Sequence, residues 1–217
     1  MVVRCRVKVC GITSVADAQS VVDSGADAIA LMFYPPSSRY LEKEQAAEIL
    51  KSLPPYVSSV GLFLDAEPDF IRETLAAVPV DMLQFHGSET PDFCSSFGRP
   101  YYKAVGMKGL VASGGFAAYA DQYADARAIL VDSHAPGAAG GTGEVFDWTQ
   151  VPQDYHKPII LAGGLRPENV GEAILTTKVY AVDVSSGVES APGIKDPGKV
   201  ESFMRAVRDA EQQIEIQ

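Results

Sequence analysis

Cysteine is scarce in this 217-residue chain, with Cys5, Cys10 and Cys94 the full complement. An odd number without framework spacing excludes a disulfide scaffold and points to a reducing cytoplasm. Histidine is as sparse: His86, His134 and His156 are scattered, and neither Cys-x-x-Cys nor His-Glu-x-x-His occurs. No metal site is expected from such a set. Basic residues are outnumbered, 18 Lys and Arg against 28 Asp and Glu, for a net charge of -10. That balance argues against nucleic acid and anionic membrane as partners, and a small anionic ligand would need positive potential built locally. No apolar run reaches membrane-spanning length and no charged-then-apolar segment opens the chain, so a soluble, cytoplasmic protein is expected. The nucleotide P-loop pattern is missing too, as is a Gly-x-Gly-x-x-Gly after the first strand.

What the chain does have is a regular alternation of short apolar runs with helical periodicity. The spacing predicts a first strand ending on Cys10, then strands at Ala28–Phe33, Val57–Leu64, Met82–Phe85, Tyr101–Val105, Ala128–Val131, Pro158–Leu161 and Ala181–Val184. Helical patterns fall at Ser14–Ser24, Glu42–Leu53, Pro68–Ala77, Pro91–Phe97, within Gly109–Asp125, after Asn169 and at Lys199–Gln213. Eight strand–helix units require parallel strands with crossover helices, and eight close as an α/β fold of the (β/α)8 barrel type. No composition shift marks a boundary, so one domain over residues 1–217 is expected. An open doubly wound sheet is the competitor, without its glycine fingerprint.

In such a barrel the site is built from loops at the C-terminal ends of the strands. That rule gathers Cys10, Arg39, His86, Asp132, the Gly140–Gly143 loop, Gly163-Gly164 and Ser185-Ser186-Gly187 on one rim. On the first strand Val7 and Val9 alternate with Lys8 and Cys10, so the lysine and the thiol share a face. Cys10 reads as a reactive thiol or as a small buried hydrophobe, and at an ordinary pKa only about 3% would be thiolate at pH 7. Lys8 either raises that fraction or is a barrel-core cation paired with Asp183 or Asp132. Asp132 either reaches into the mouth or starts an Asx turn. Arg39, on a proline-rich loop, offers a planar fork for a carboxylate or is a solvated surface arginine. His86, before Gly87, is a site residue or a turn donor. The glycine turns after the seventh and eighth strands suit a phosphate cradle, where backbone N–H groups approach oxygens closely, or are merely tight turns.

Six blocks carry a resemblance: Lys8-Val9-Cys10-Gly11-Ile12-Thr13, the Phe33-Tyr34-Pro35 to Ser38-Arg39-Tyr40 loop, Gln84-Phe85-His86-Gly87, Asp132-Ser133 with Gly140-Gly141-Thr142-Gly143, Ala162-Gly163-Gly164-Leu165 with Pro167-Glu168-Asn169-Val170, and Asp183 to Glu189. In this order they resemble the phosphoribosylanthranilate isomerases over nearly the whole chain. The resemblance implies a cofactor-free and metal-free aldose–ketose isomerase of tryptophan biosynthesis. N-(5'-phosphoribosyl)anthranilate would become 1-(2-carboxyphenylamino)-1-deoxyribulose 5-phosphate by an Amadori rearrangement. It implies Asp132 as the general acid that opens the ribose ring, Cys10 as the base that removes the C2' proton, and Arg39 as holder of the anthranilate carboxylate. The turns at Gly141–Gly143, Gly163-Gly164 and Ser186-Gly187 would hold the phosphate, with His86 among the substrate contacts and Lys8 and Asp183 behind them. The acid must keep a proton while the base loses one, so Asp132 is expected to be protonated and Cys10 ionised. Arg166 departs from the family pattern, which often has a small polar residue before Pro167. A histidine-pathway phosphosugar isomerase would carry aspartate in place of Cys10, and a silent phosphate-binding barrel would not need both Cys10 and Asp132. The expected partner is a small phosphorylated substrate, with a monomer as the default state.

Overall fold

Each of the eight barrel strands buries most of both faces, and the alternation divides the apolar residues between two cores. A computed structural model describes residues 4–108, 110, 115–133 and 146–216. Strands β1 (Arg6–Cys10), β2 (Ala28–Met32), β3 (Ser58–Phe63), β4 (Met82–Phe85), β5 (Tyr101–Gly106), β6 (Ile129–Asp132), β7 (Ile159–Leu161) and β8 (Ala181–Val184) form a closed parallel barrel in chain order. Val7, Val9, Ile29, Leu31, Phe85 and Val131 face outward into the larger core beneath the helices. Cys10, Ala30, Leu62, Ala104, Leu130 and Ala162 belong to the second core, inside the barrel. Small inward residues leave room there for the long side chains of Lys8, Gln84 and Tyr102. The closing register between β1 and β8 sets Lys8 directly beside Asp183.

The helices are α1 (Val15–Asp23), α2 (Lys43–Ser52), α3 (Pro68–Ala77), α4 (Pro91–Ser95), α5 (Gly115–Ala120), α6 (Val170–Thr177) and α7 (Pro197–Ile216). Their ends follow local chemistry. Ser14 Oγ accepts the Asp17 N–H at 3.0 Å to cap α1, and Gly25, at φ 103°, takes the left-handed position after it. Asp196 Oδ1 accepts the Lys199 N–H at 3.0 Å, which starts α7 at Pro197 rather than at the predicted Lys199. The helix expected within Gly109–Asp125 is only the six residues of α5, and it starts on Gly115 at φ 89°. Between β6 and β7, where no helical pattern was read, the described residues hold a 3-10 turn, Trp148–Gln150. After β8 comes an unpredicted antiparallel hairpin, β9 (Glu189–Ala191) and β10 (Ile194–Lys195), too short to register as strand periodicity. Among the described residues no helix is long and apolar enough to cross a membrane.

Candidate active site

The C-terminal ends of the strands open on a cavity of about 290 Å³. Cys10, Arg39, His86, Asp132, Gly163, Gly164, Asp183 and Ser186 all line it, drawn together from the ends of separate strands. Gln84 lines it as well, a residue that the sequence marked only as the start of the Gln84-Phe85-His86-Gly87 block and to which it gave no role. Gly141 and Gly143 lie outside the described residues.

On the β1 side, Lys8 Nζ stands 2.7 Å from the Asp183 carboxylate, with both side chains almost fully buried. Burial is the largest single influence on Lys8 and would lower its pKa, but Asp183, Cys10 and Tyr102 together outweigh it and raise it, so the ammonium persists. Burial pushes the Asp183 carboxyl up, while Lys8 pulls it back. Lys8 is thus a barrel-core cation paired with Asp183 rather than with Asp132. The Cys10 thiol sits beside this pair, and burial raises its pKa, with Lys8 the strongest opposing influence and Lys195 and Arg39 adding to it. The gain in thiolate expected from Lys8 is therefore outweighed by dehydration. All three cysteines are free and buried.

Arg39 crosses the end of β1 because Gly11 has no side chain: a Cβ there would collide with Arg39 Cδ, and Gly11 itself has φ 73°. Its Nε and Nη2 donate to the two carboxylate oxygens of Glu189, each at 2.7 Å. Arg39 is not a solvated surface residue, and one edge of its fork is already occupied. Among the described residues, no protein group accepts along the edge formed by its two terminal nitrogens. Glu189 also accepts from Lys195 Nζ at 2.8 Å, through the hairpin that the strand pattern did not reveal.

Across the mouth, Asp132 ends β6 with Oδ1 accepting the Ser133 N–H at 2.6 Å. The Asx-turn alternative would use the N–H of His134, which lies outside the described residues. Its other oxygen lies 3.6 Å from His86 Nε2. Tyr102 O–H donates to Gln84 Oε1 at 2.9 Å, which turns the Gln84 amide nitrogen toward His86 Nδ1, 3.0 Å away. Nδ1 accepts in this chain, so the ring carries its N–H on Nε2, facing Asp132. His86 is thus held by a buried relay rather than serving as a turn donor.

The turns after β7 and β8 interlock. A Cβ on Gly163 would lie 2.6 Å from the Ser133 nitrogen and 2.8 Å from Asp132 Oδ1, so only glycine lets the turn after β7 pack against the Asp132 side chain. A Cβ on Gly187 would collide with the Leu165 carbonyl oxygen, which binds the two turns into one surface. Asn169 holds the first turn open, donating to the Gly164 carbonyl at 3.0 Å and accepting the Arg166 N–H at 2.8 Å. Among the described residues, no protein group accepts from the N–H groups of Gly164, Ser186 or Gly187. Arg166 points away to an exposed contact with Glu168 at 3.6 Å. No cluster of three or more His, Cys, Asp or Glu residues suited to a metal occurs among the described residues.

The family described as N-(5'phosphoribosyl)anthranilate (PRA) isomerase matches residues 7–206. An N-(5'-phosphoribosyl)anthranilate isomerase of Pseudomonas fluorescens (strain SBW25) is 53% identical over 205 residues, covering 94% of this chain and 96% of the relative. That of Cellvibrio japonicus (strain Ueda107) is 49% identical, covering 96% and 95%. The crystal structure of phosphoribosyl anthranilate isomerase from Thermotoga maritima superposes with a TM-score of 0.85 at 38% identity, covering 94% of this chain and 99% of that one. A crystal structure of a phosphoribosyl anthranilate isomerase in complex with reduced 1-(o-carboxyphenylamino)-1-deoxyribulose 5-phosphate superposes with a TM-score of 0.82 at 37% identity, with the same coverage. A family match across the barrel, near-complete relatives and a shared fold converge on one assignment: this chain belongs to the N-(5'-phosphoribosyl)anthranilate isomerase family.

Proposed function

We propose that Cys10 and Asp132 share the acid–base work by which this chain, as a phosphoribosylanthranilate isomerase of tryptophan biosynthesis, converts N-(5'-phosphoribosyl)anthranilate to 1-(2-carboxyphenylamino)-1-deoxyribulose 5-phosphate. The carrying observation is that both side chains enter one cavity from opposite walls, β1 and β6, beside turns whose N–H groups meet no acceptor among the described residues. Asp132 gives its proton to the ribose ring oxygen as the C1'–O bond breaks, leaving an iminium between C1' and the anthranilate nitrogen. Cys10, as thiolate, then takes the C2' proton, and the C–H electrons form the C1'–C2' double bond of an enolamine. Tautomerisation to the 2'-ketone completes the rearrangement. General acid and base groups of this kind contribute about 10²–10⁴-fold each.

The phosphate is assigned to the N–H groups of Gly164, Ser186 and Gly187, where the turns after the last two strands present donors without side chains in the way. Gly163 is assigned to the same cradle, and its second task is to let Asp132 approach. His86, with its N–H on Nε2 directed at Asp132, orients that carboxyl at the substrate. The open edge of Arg39 takes the anthranilate carboxylate, which is the local positive potential that a chain of net charge -10 must supply for an anionic ligand. Three free thiols support a reducing, cytoplasmic setting.

The direct test follows the fluorescence decay of freshly made phosphoribosylanthranilate. Cys10→Ala and Asp132→Asn are each expected to lower kcat by at least about 100-fold with KM little changed. Near wild-type turnover in either variant would remove that residue from the chemistry.

A further inference from the structure

Lys195 is almost completely buried, and its ammonium donates to three oxygens: the Cys10 carbonyl at 2.7 Å, the Ser185 carbonyl at 3.3 Å and Glu189 Oε1 at 2.8 Å. Three oxygen acceptors match the three N–H donors of a charged lysine. The same Glu189 carboxylate receives Nε and Nη2 of Arg39. Two cations therefore share one buried carboxylate. Lys199 also approaches, but it is exposed to solvent and its ammonium donates to the backbone carbonyl of Glu189, at 2.7 Å, and not to the carboxylate.

The charge count has a consequence for the ligand. Arg39 paired with Glu189 alone would be electrically spent, a neutral ion pair at the wall of the cavity. Lys195 offsets the carboxylate a second time, so the group of three carries one net positive charge, and Arg39 is its only member that lines the cavity. The strap also fixes where that charge sits. Lys195 ties the hairpin to the ends of β1 and β8 through the two carbonyls, and Glu189 orients the guanidinium from behind.

We propose that Lys195 is a specificity-determining residue: by neutralising Glu189 it leaves Arg39 with net positive charge for the carboxylate on the substrate's aromatic ring. This rests on the assignment of Arg39 to that carboxylate. Lys195 does not touch substrate; it acts through Glu189 and Arg39.

The experiment compares kcat/KM for N-(5'-phosphoribosyl)anthranilate with that for N-(5'-phosphoribosyl)aniline, the analogue without the carboxylate, in the full-length enzyme. The ratio of the two is the readout, because a general structural defect lowers both alike. Lys195→Met is expected to cut the ratio about tenfold, chiefly through KM for the carboxylate substrate. The double variant Lys195→Met/Glu189→Gln removes one charge of each sign, restores the net positive charge on Arg39, and is expected to bring the ratio back to within about threefold of wild type. It also keeps the test alive if Lys195→Met fails to fold, since it buries no uncompensated charge: a ratio as low as that of Arg39→Ala would then overturn the proposal. An unchanged ratio in folded Lys195→Met, alongside a collapsed ratio in Arg39→Ala, overturns the role of Lys195 while sparing that of Arg39. An unchanged ratio in Arg39→Ala overturns both.

Discussion

Replacing Lys103 with methionine is the sharpest test of how the rim is held in place. Lys103 lies on β5 with no solvent exposure, facing away from the barrel interior. Its Nζ donates to the carbonyls of Gly87 at 2.5 Å, Ala104 at 3.2 Å and Phe85 at 3.3 Å, and stands 3.3 Å from Glu89 Oε2. Glu89 in turn accepts the N–H groups of Asp65 at 2.8 Å and Gly87 at 2.9 Å. The pair thus ties the ends of β3, β4 and β5 together, one residue from His86. Methionine keeps most of the shape but leaves Glu89 buried without its cation and takes one donor away from each of three carbonyls. Removing one member of a buried pair costs about 3–5 kcal/mol, a large part of the roughly 5–15 kcal/mol that holds a protein folded. At about 2–4 °C per kcal/mol for a chain of this size, Tm should fall by roughly 6–20 °C. Urea unfolding followed by circular dichroism should show a lower midpoint at unchanged slope. Lys103→Met/Glu89→Gln, which removes both charges, should recover most of the loss. A single variant that loses less than about 1 kcal/mol, or a double variant no more stable than the single, would refute the reasoning.

Three further predictions bear on the site and on pH. Gly187→Ala should force the β7 and β8 turns apart at a cost of about 1–3 kcal/mol and weaken both substrate binding and inhibition by inorganic phosphate; an unchanged inhibition constant would exclude the turn from phosphate binding. Because burial raises the Cys10 pKa, kcat/KM and the rate of Cys10 alkylation should climb together between about pH 7 and 9, and Lys8→Met should move both curves upward in pH. An alkylation rate already level at pH 7 would contradict this. Burial also pushes the Cys5 and Cys94 thiols from an ordinary 9.0 to about 12, so the folded state favours the neutral forms. Their contribution to stability is complete below about pH 9 and is lost as pH rises from there toward 12, so Cys94→Ala should flatten the alkaline decline of Tm, and an identical decline in the variant would count against it.

Much of the rim was readable in advance because strand position dictates it. Cys10 and Asp132 each close a strand, and loops after parallel strands share one end of a barrel, so their common cavity follows from topology. The inward face of Lys8 follows from a period of two. What escaped the pattern was short or distant. The hairpin at Glu189–Ala191 and Ile194–Lys195 is five residues of strand in two pieces, too little for periodicity, yet it carries both partners of the Arg39 strap. Gln84 read only as part of one resemblance block and Tyr102 only as a residue of the fifth strand, and their bond makes sense of the His86 tautomer only once both rings and the amide share a layer.

The sequence by itself determined the parallel barrel and the end of it that bears the site, since alternating periods of two and 3.6 with glycine and proline punctuation are local properties. Only the tertiary structure decided which charge meets which: Lys8 with Asp183, Arg39 with Glu189, Glu189 with Lys195, Lys103 with Glu89. Arg39 and Glu189 stand 150 residues apart in the chain, and a buried ion pair is set by distances of a few ångströms after dehydration. No local pattern encodes those distances, and the same dehydration is what makes the Cys10 thiol hard to ionise despite the lysine beside it.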